Sequence, residues 1–124
     1  MLSNNKMVSA RKAIELLYDG TCTVLVQEEF EKDNGATSFR PLVVLKDEPC
    51  HLSFSNTTST KEGEAAATVS QVTELFISPD VDIAPGSKIT VTQNGVTTDY
   101  TRSGKPSVYG THQQIILELW KGWS

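Results

Sequence analysis

The chain has 124 residues, 38% apolar and 21% charged, with a formal net charge of −4. That length argues for a single domain, residues 1–124, able to bury a core of its own, and no apolar run approaches the ~20 residues that span a bilayer, so no membrane partner is expected. Its eleven bases are scattered rather than clustered, which argues against a protein that tracks nucleic-acid phosphates.

The opening residues, MLSNNKMVSARKAIELL, lack the apolar core and small-residue cleavage site of a signal peptide, so a cytoplasmic chain is expected. Residues 9–18, SARKAIELLY, predict a short helix, the element as a whole covering 8–18. Ser9 is placed to cap it, and Ile14, Leu17 and Tyr18 share one face. Asp19-Gly20 ends it, with Gly20 suited to the left-handed conformation after the last turn. So short a helix is marginal alone, and its apolar face must dock.

Strand character begins at 21–30, TCTVLVQEEF, turns at Asn34-Gly35 and returns over 39–46, FRPLVVLK. Pro41 lacks a ladder donor and so predicts a sheet edge. Residues 50–55, CHLSFS, alternate with Cys50, Leu52 and Phe54 on one side, a half-buried strand. The stretch 55–70, SNTTSTKEGEAAATVS, then reads as a long polar loop, with a turn or two of helix open to its alanines. Strands resume at 71–78. KITVT and VTTDYT flank Asn94-Gly95, a strong hairpin signal. The segment SGKPSVYG reads as a loop, and 112–120 is a last strand with Ile115, Leu117 and Leu119 on one face. Six to seven strands with turns every 8–15 residues predict an all-β, mainly antiparallel fold: a small β-barrel or sandwich over 21–120, one short N-terminal helix and one projecting loop at 55–70.

Chemistry is sparse. There is no phosphate-binding glycine loop, no dinucleotide fingerprint, no H-E-x-x-H and no G-x-S-x-G. Cys22 and Cys50 are expected as free buried thiols rather than a disulfide in a reducing cell. Cys50 and His51, being strand neighbours, point to opposite faces and form no dyad; Cys22 with His112 is sterically conceivable, though a core thiol and a surface histidine is the plainer reading. Acid pairs such as Asp80 and Asp82 have no calcium-loop spacing. No catalytic residue, metal site or cofactor is expected, and an enzyme is the least favoured class. Acidity is concentrated in residues 27–82, with eleven acids against four bases; 1–20 carry three bases and two acids, and 86–124 four and two. That gradient suits head-to-tail contact between like subunits, and equally a solvated acidic surface. Trp120 and Trp123 in ELWKGWS either cap the barrel or anchor an interface, and Trp123 beyond Gly122 favours the interface.

The segment ELFISPDVDIAPGSKITVTQNGVTTDYTRSGKPSVYGTHQQIILELWKGW, with PCHLSFS upstream, resembles a small head–tail connector protein of tailed bacteriophages infecting Gram-positive bacteria. Its marks are a strand ending FISPD, the P-G-S-K-I-T-V turn, a short hairpin, then G-x-P-x-x-Y and T-H-Q-x-I, over roughly residues 48–120. The resemblance, to the head-completion or stopper class, implies a non-enzymatic virion protein assembled in host cytoplasm. It implies a ring of about six or twelve copies beneath portal and adaptor proteins, touching a tail-completion protein and passing double-stranded DNA without sequence-specific binding. The loop at 55–70 would then work at the channel through Thr57, Thr58, Thr60, Lys61, Glu62 and Glu64. Leu17, Tyr18, Tyr109, Trp120 and Trp123 would carry partner or subunit contacts. A tail-side completion protein and a ligand-binding OB-like barrel are the alternatives; the latter needs aromatics interleaved with bases, and Phe39, Tyr100 and Tyr109 come without a basic lane.

Overall fold

A computed structural model describes residues 4–59 and 68–123. The elements are α1 (Asn4–Glu15), β1 (Gly20–Glu31), β2 (Thr37–Ser59), β3 (Thr68–Ile77), β4 (Lys88–Gln93), β5 (Val96–Val108) and β6 (Gln113–Leu119). All strand pairs are antiparallel, and the sheet closes into a barrel in the order β1-β2-β3-β6-β5-β4. The predicted fold class is the one observed, and its closed form is the barrel.

Strand alternation builds the core. Cys22 and Val24, Cys50 and Leu52, Leu75 and Ile77, Ile89 and Val91, and Ile115 and Leu117 point inward from five successive strands, with Tyr100 from the sixth. Both cysteines are buried and free. The hydrogen bond between the two thiols, and then burial, push the Cys22 pKa up, which makes it an inert core group rather than a nucleophile. Asn94 and Gly95 both take positive φ, 53° and 76°, the geometry of a two-residue hairpin turn, as the sequence predicts.

One end of the barrel is closed by the connection between β3 and β4. Ile83 is buried there without belonging to a strand. Gln113, itself buried, donates through Nε2 to the carbonyls of Ser78 and Val81. The Arg102 guanidinium donates to the Ile83 carbonyl at 2.7 Å. A connection whose own backbone offers no ladder is thus pinned by side chains from β5 and β6.

Several expected boundaries shift. The strands predicted at 39–46 and 50–55 are one strand of 23 residues. Between them Asp47 takes φ 51° and the register with β1 slips, so the strand bulges and continues. Likewise β5 runs through the predicted SGKPSVYG loop, with an irregularity between Ser103 and Ser107. Ser9 does not cap the helix, which begins at Asn4, and Leu17 lies past its end. Gly20 is not in the left-handed region; it opens β1. A glycine suits that position because a β-carbon would stand 3.0 Å from the Thr92 carbonyl oxygen and 3.1 Å from Gln93 Oε1, crowding both.

Two ribbons leave the barrel from opposite ends of β2. In the first, residues 26–31 of β1 pair with 37–42 of β2, beyond the last β1–β4 pair at Leu25–Lys88. Its turn is held by Lys32 and Gly35 amide bonds and by Asn34 Oδ1 accepting from Ala36 N. In the second, residues 55–59 of β2 pair with 68–72 of β3, beyond the last β3–β6 pair at Thr73–Leu117.

Candidate interaction surfaces

The second ribbon takes up half of the predicted loop. Thr57 pairs with Ser70 and Thr58 with Val69, so the loop assigned to 55–70 is strand at 55–59 and 68–70. The physical reason is local: Ser55–Asn56–Thr57–Thr58 and Val69–Ser70–Gln71–Val72 carry β-branched residues and lack the proline or turn signal that would stop the adjoining strands. Thr60, Lys61, Glu62 and Glu64 lie outside the described residues. Ser55, Asn56, Ser70 and Gln71 of the ribbon are exposed and Val72 at its root is half-buried.

Beside its root the barrel mouth is apolar. Leu52, Phe54, Gln93, Val96 and Tyr100 line a groove of about 190 Å³. Phe54 and Val96 are exposed although Phe54 continues the inward row of Cys50 and Leu52. The core row outruns the barrel here.

The helix lies on the outer surface. Met7, Arg11, Ile14 and Tyr18 form its inward stripe. Arg11 bonds Ser78 Oγ at 3.0 Å and Asp80 Oδ2 at 2.7 Å, and Met7 lies so close over Gly110 that a β-carbon there would meet its Cε at 2.7 Å. Just past the helix, Asp19 Oδ1 meets His51 Nδ1 at 2.8 Å. That hydrogen bond holds the Asp19 carboxyl below its ordinary range. Its contribution is present above the unfolded carboxylate pKa and is lost as pH falls through the lowered one.

Under the helix runs a row of rings that sequence reasoning missed. His51, Phe76, His112 and Tyr109 follow one another with centroid distances of 6.1, 5.9 and 4.9 Å. The position of His51 on the opposite side from Cys50 was readable, but the register that puts it opposite Phe76 was not. His112 here meets Thr111 and Gln114, while Cys22 is in the core, so the conceivable Cys22–His112 dyad does not form.

The predicted interface residues are scattered over three places. Leu17 is 73% exposed, Tyr18 is half-buried beside His51 and Phe76 in a groove of about 260 Å³, and Tyr109 is exposed on the ring row. Trp120 and Trp123 pack edge to face at 4.6 Å, and the Trp120 amide donates to the Asp99 carbonyl. Trp123 also borders a groove of about 270 Å³ with Val26, Ala84 and Pro85 at the root of the first ribbon. The Tyr18 hydroxyl is buried with no hydrogen-bond partner among the described residues, and burial raises its pKa. Tyr18→Phe is therefore expected to leave stability unchanged or raise it by up to ~1 kcal/mol, read by urea unfolding; a loss of that size would mean the hydroxyl is satisfied.

Among the described residues no three metal-ligating side chains cluster, and no helix is long and apolar enough to cross a membrane. What the surface offers is contact area: two ribbons, an apolar mouth and a helix-covered ring row. No protein-family model matches the sequence, and no curated protein matches it. Among solved structures the chain is similar to the phage-like element PBSX protein xkdH from Bacillus subtilis, at 12% identity and a TM-score of 0.48, over 80% of this chain and 91% of that one.

Proposed function

We propose that the chain is a non-enzymatic structural protein of a tailed-phage particle: a head-completion connector whose ring lies below the portal and adaptor, closes the DNA exit channel and presents the tail attachment surface. The observation that carries this reading is the polar second ribbon, 55–59 with 68–72, held out from a closed barrel by the two strands that also build its core. A free two-stranded ribbon is marginal in water, so a long polar one on a rigid mount suits work among neighbours. The sequence resemblance over residues 48–120 supplies the setting. The barrel is the mount, the ribbon reaches the channel, and the paired residues alone reach roughly 16 Å at a strand's rise.

Deleting residues 57–67 tests the role. Those of its residues that the structure describes, 57–59, lie beyond the barrel ladder, so the unfolding free energy is expected to stay within about 0.5 kcal/mol of the full chain. Phage heads assembled with the shortened chain are expected to lose DNA before tails join; heads that keep their DNA would refute the gating role. Immunogold labelling of complete particles separates the alternatives: label at the head–tail junction supports a connector, label one ring lower a tail-side completion protein, and no label in particles removes the virion reading.

A further inference from the structure

We propose that the Phe39 face of the first ribbon docks on the β5 end of a second copy of this chain, around Lys105, Val108 and Tyr109, in a head-to-tail contact. This deepens the ring reading above and rests on it. Residues opposite one another in an antiparallel pair share a face, so the pairs Glu29–Phe39, Gln27–Pro41 and Leu25–Val43 define that surface. Phe39 is 56% exposed and Val43 50%. An apolar stripe on β2 therefore runs beside acids on β1, Glu29 and Glu31. The opposite face spends its charge internally: Arg40 pairs with Glu28 at 2.9 Å and lies 4.8 Å over the Phe30 ring.

The contact is through the face and not the edge. The outer edge of β2 over 37–49 has no strand partner among the described residues, yet it carries Pro41 and Pro49, which donate nothing, and the bulge at Asp47. Those are devices that discourage strand addition. An edge so protected beside a face so apolar points to a face that is covered.

Charge and position choose the occupant. The first ribbon, residues 26–42, holds four acids and two bases, of which Glu28 and Arg40 pair with each other. Residues 100–117 hold Arg102 and Lys105 and no acid. Val108 is 64% exposed, with Tyr109 beside it. In the order β1-β2-β3-β6-β5-β4, β2 and β5 stand three places apart on either path, on opposite sides of the barrel. The ribbon and Val108 also lie at the same end, the end closed by Ile83, since Val108 pairs with the first residue of β6. Complementary patches on opposite sides at one level allow a head-to-tail contact, which makes a ring where its rotation closes.

Paired cysteines test it. The native thiols are buried, so a mild oxidant acts on introduced ones. The chain carrying both Phe39→Cys and Val108→Cys is expected to give a reducible ladder of multimers. Adding Glu29→Lys with Glu31→Lys, or Lys105→Glu alone, is expected to cut the ladder about tenfold, and combining all three to restore it. No ladder, or a Phe39→Cys chain that cross-links to itself as well as the double variant does, overturns the proposal. A ladder from a chain absent from the particle neck would sink the connector reading and leave this contact standing; a chain at the neck with no ladder does the reverse.

Discussion

Gln93→Ala is expected to destabilise the protein by about 2–4 kcal/mol, seen as a lower urea midpoint with an unchanged slope. The β1–β2 ladder stops at Gly20–Cys50, two residues short of buried Leu52. Gln93 reaches across the gap. Its Oε1 accepts from the Leu52 amide at 2.7 Å, and its Nε2 donates to the Leu52 carbonyl at 3.1 Å. One side-chain amide thus stands in for the strand residue that β1 does not supply. Removing it orphans two backbone groups at once, and each such loss costs on the order of 1–3 kcal/mol when water cannot replace it. Gln93→Glu keeps the acceptor, loses the donor and sets a carboxylate against the Leu52 carbonyl, so it is expected to be no better than alanine. Gly20→Ala is expected to lose part of the same energy by crowding Gln93, and the two losses to be non-additive by more than about 0.5 kcal/mol. A Gln93→Ala midpoint equal to that of the parent chain would refute the role of this side chain in closing the barrel.

Ile83→Ala is the second large effect, about 2–5 kcal/mol. Ile83 is 2% exposed, and it closes one barrel end from a connection with no ladder of its own. Its backbone is anchored by Arg102 and its neighbours by Gln113, so the site cannot collapse freely around a smaller residue. Ile116→Ala is the control: it removes the same atoms from the outer face of β6, where the side chain is 40% exposed, and is expected to cost under about 1 kcal/mol. If both variants unfolded at the same urea concentration, Ile83 would not be a plug.

The ribbons separate what is stable from what is available. The core needs neither ribbon, because its inward rows end at Val24, Leu52 and Leu75. Apolar residues that continue those rows past the barrel, such as Phe54, or that line the first ribbon and its root, such as Phe39 and Val43, stay exposed among the described residues. On the first ribbon, it is this exposed apolar surface that the proposed contact between copies would cover.

The all-β class, the inward rows Cys50–Leu52 of β2 and Ile115–Leu117 of β6, the buried free cysteines and the Asn94–Gly95 hairpin were legible in the residues alone, because alternation and turn chemistry are local properties. Local reading failed where the deciding partner was far along the chain. Residues 39–46 and 50–55 read as two strands until the register with β1 lets Asp47 bulge between them. Gly20 reads as a helix stop until Gln93, 73 residues later, passes over it. Leu17 reads as the helix's apolar face, but that face runs through Arg11, whose inward position depends on Asp80 in another element. The candidate surfaces divide the same way. The polar character of 55–70 was plain in its composition, but only strand pairing made its flanks a ribbon. Likewise only barrel closure set the acidic, apolar ribbon of β2 across the barrel from the basic end of β5. Composition is carried by each residue alone, whereas register and closure are properties of the whole sheet.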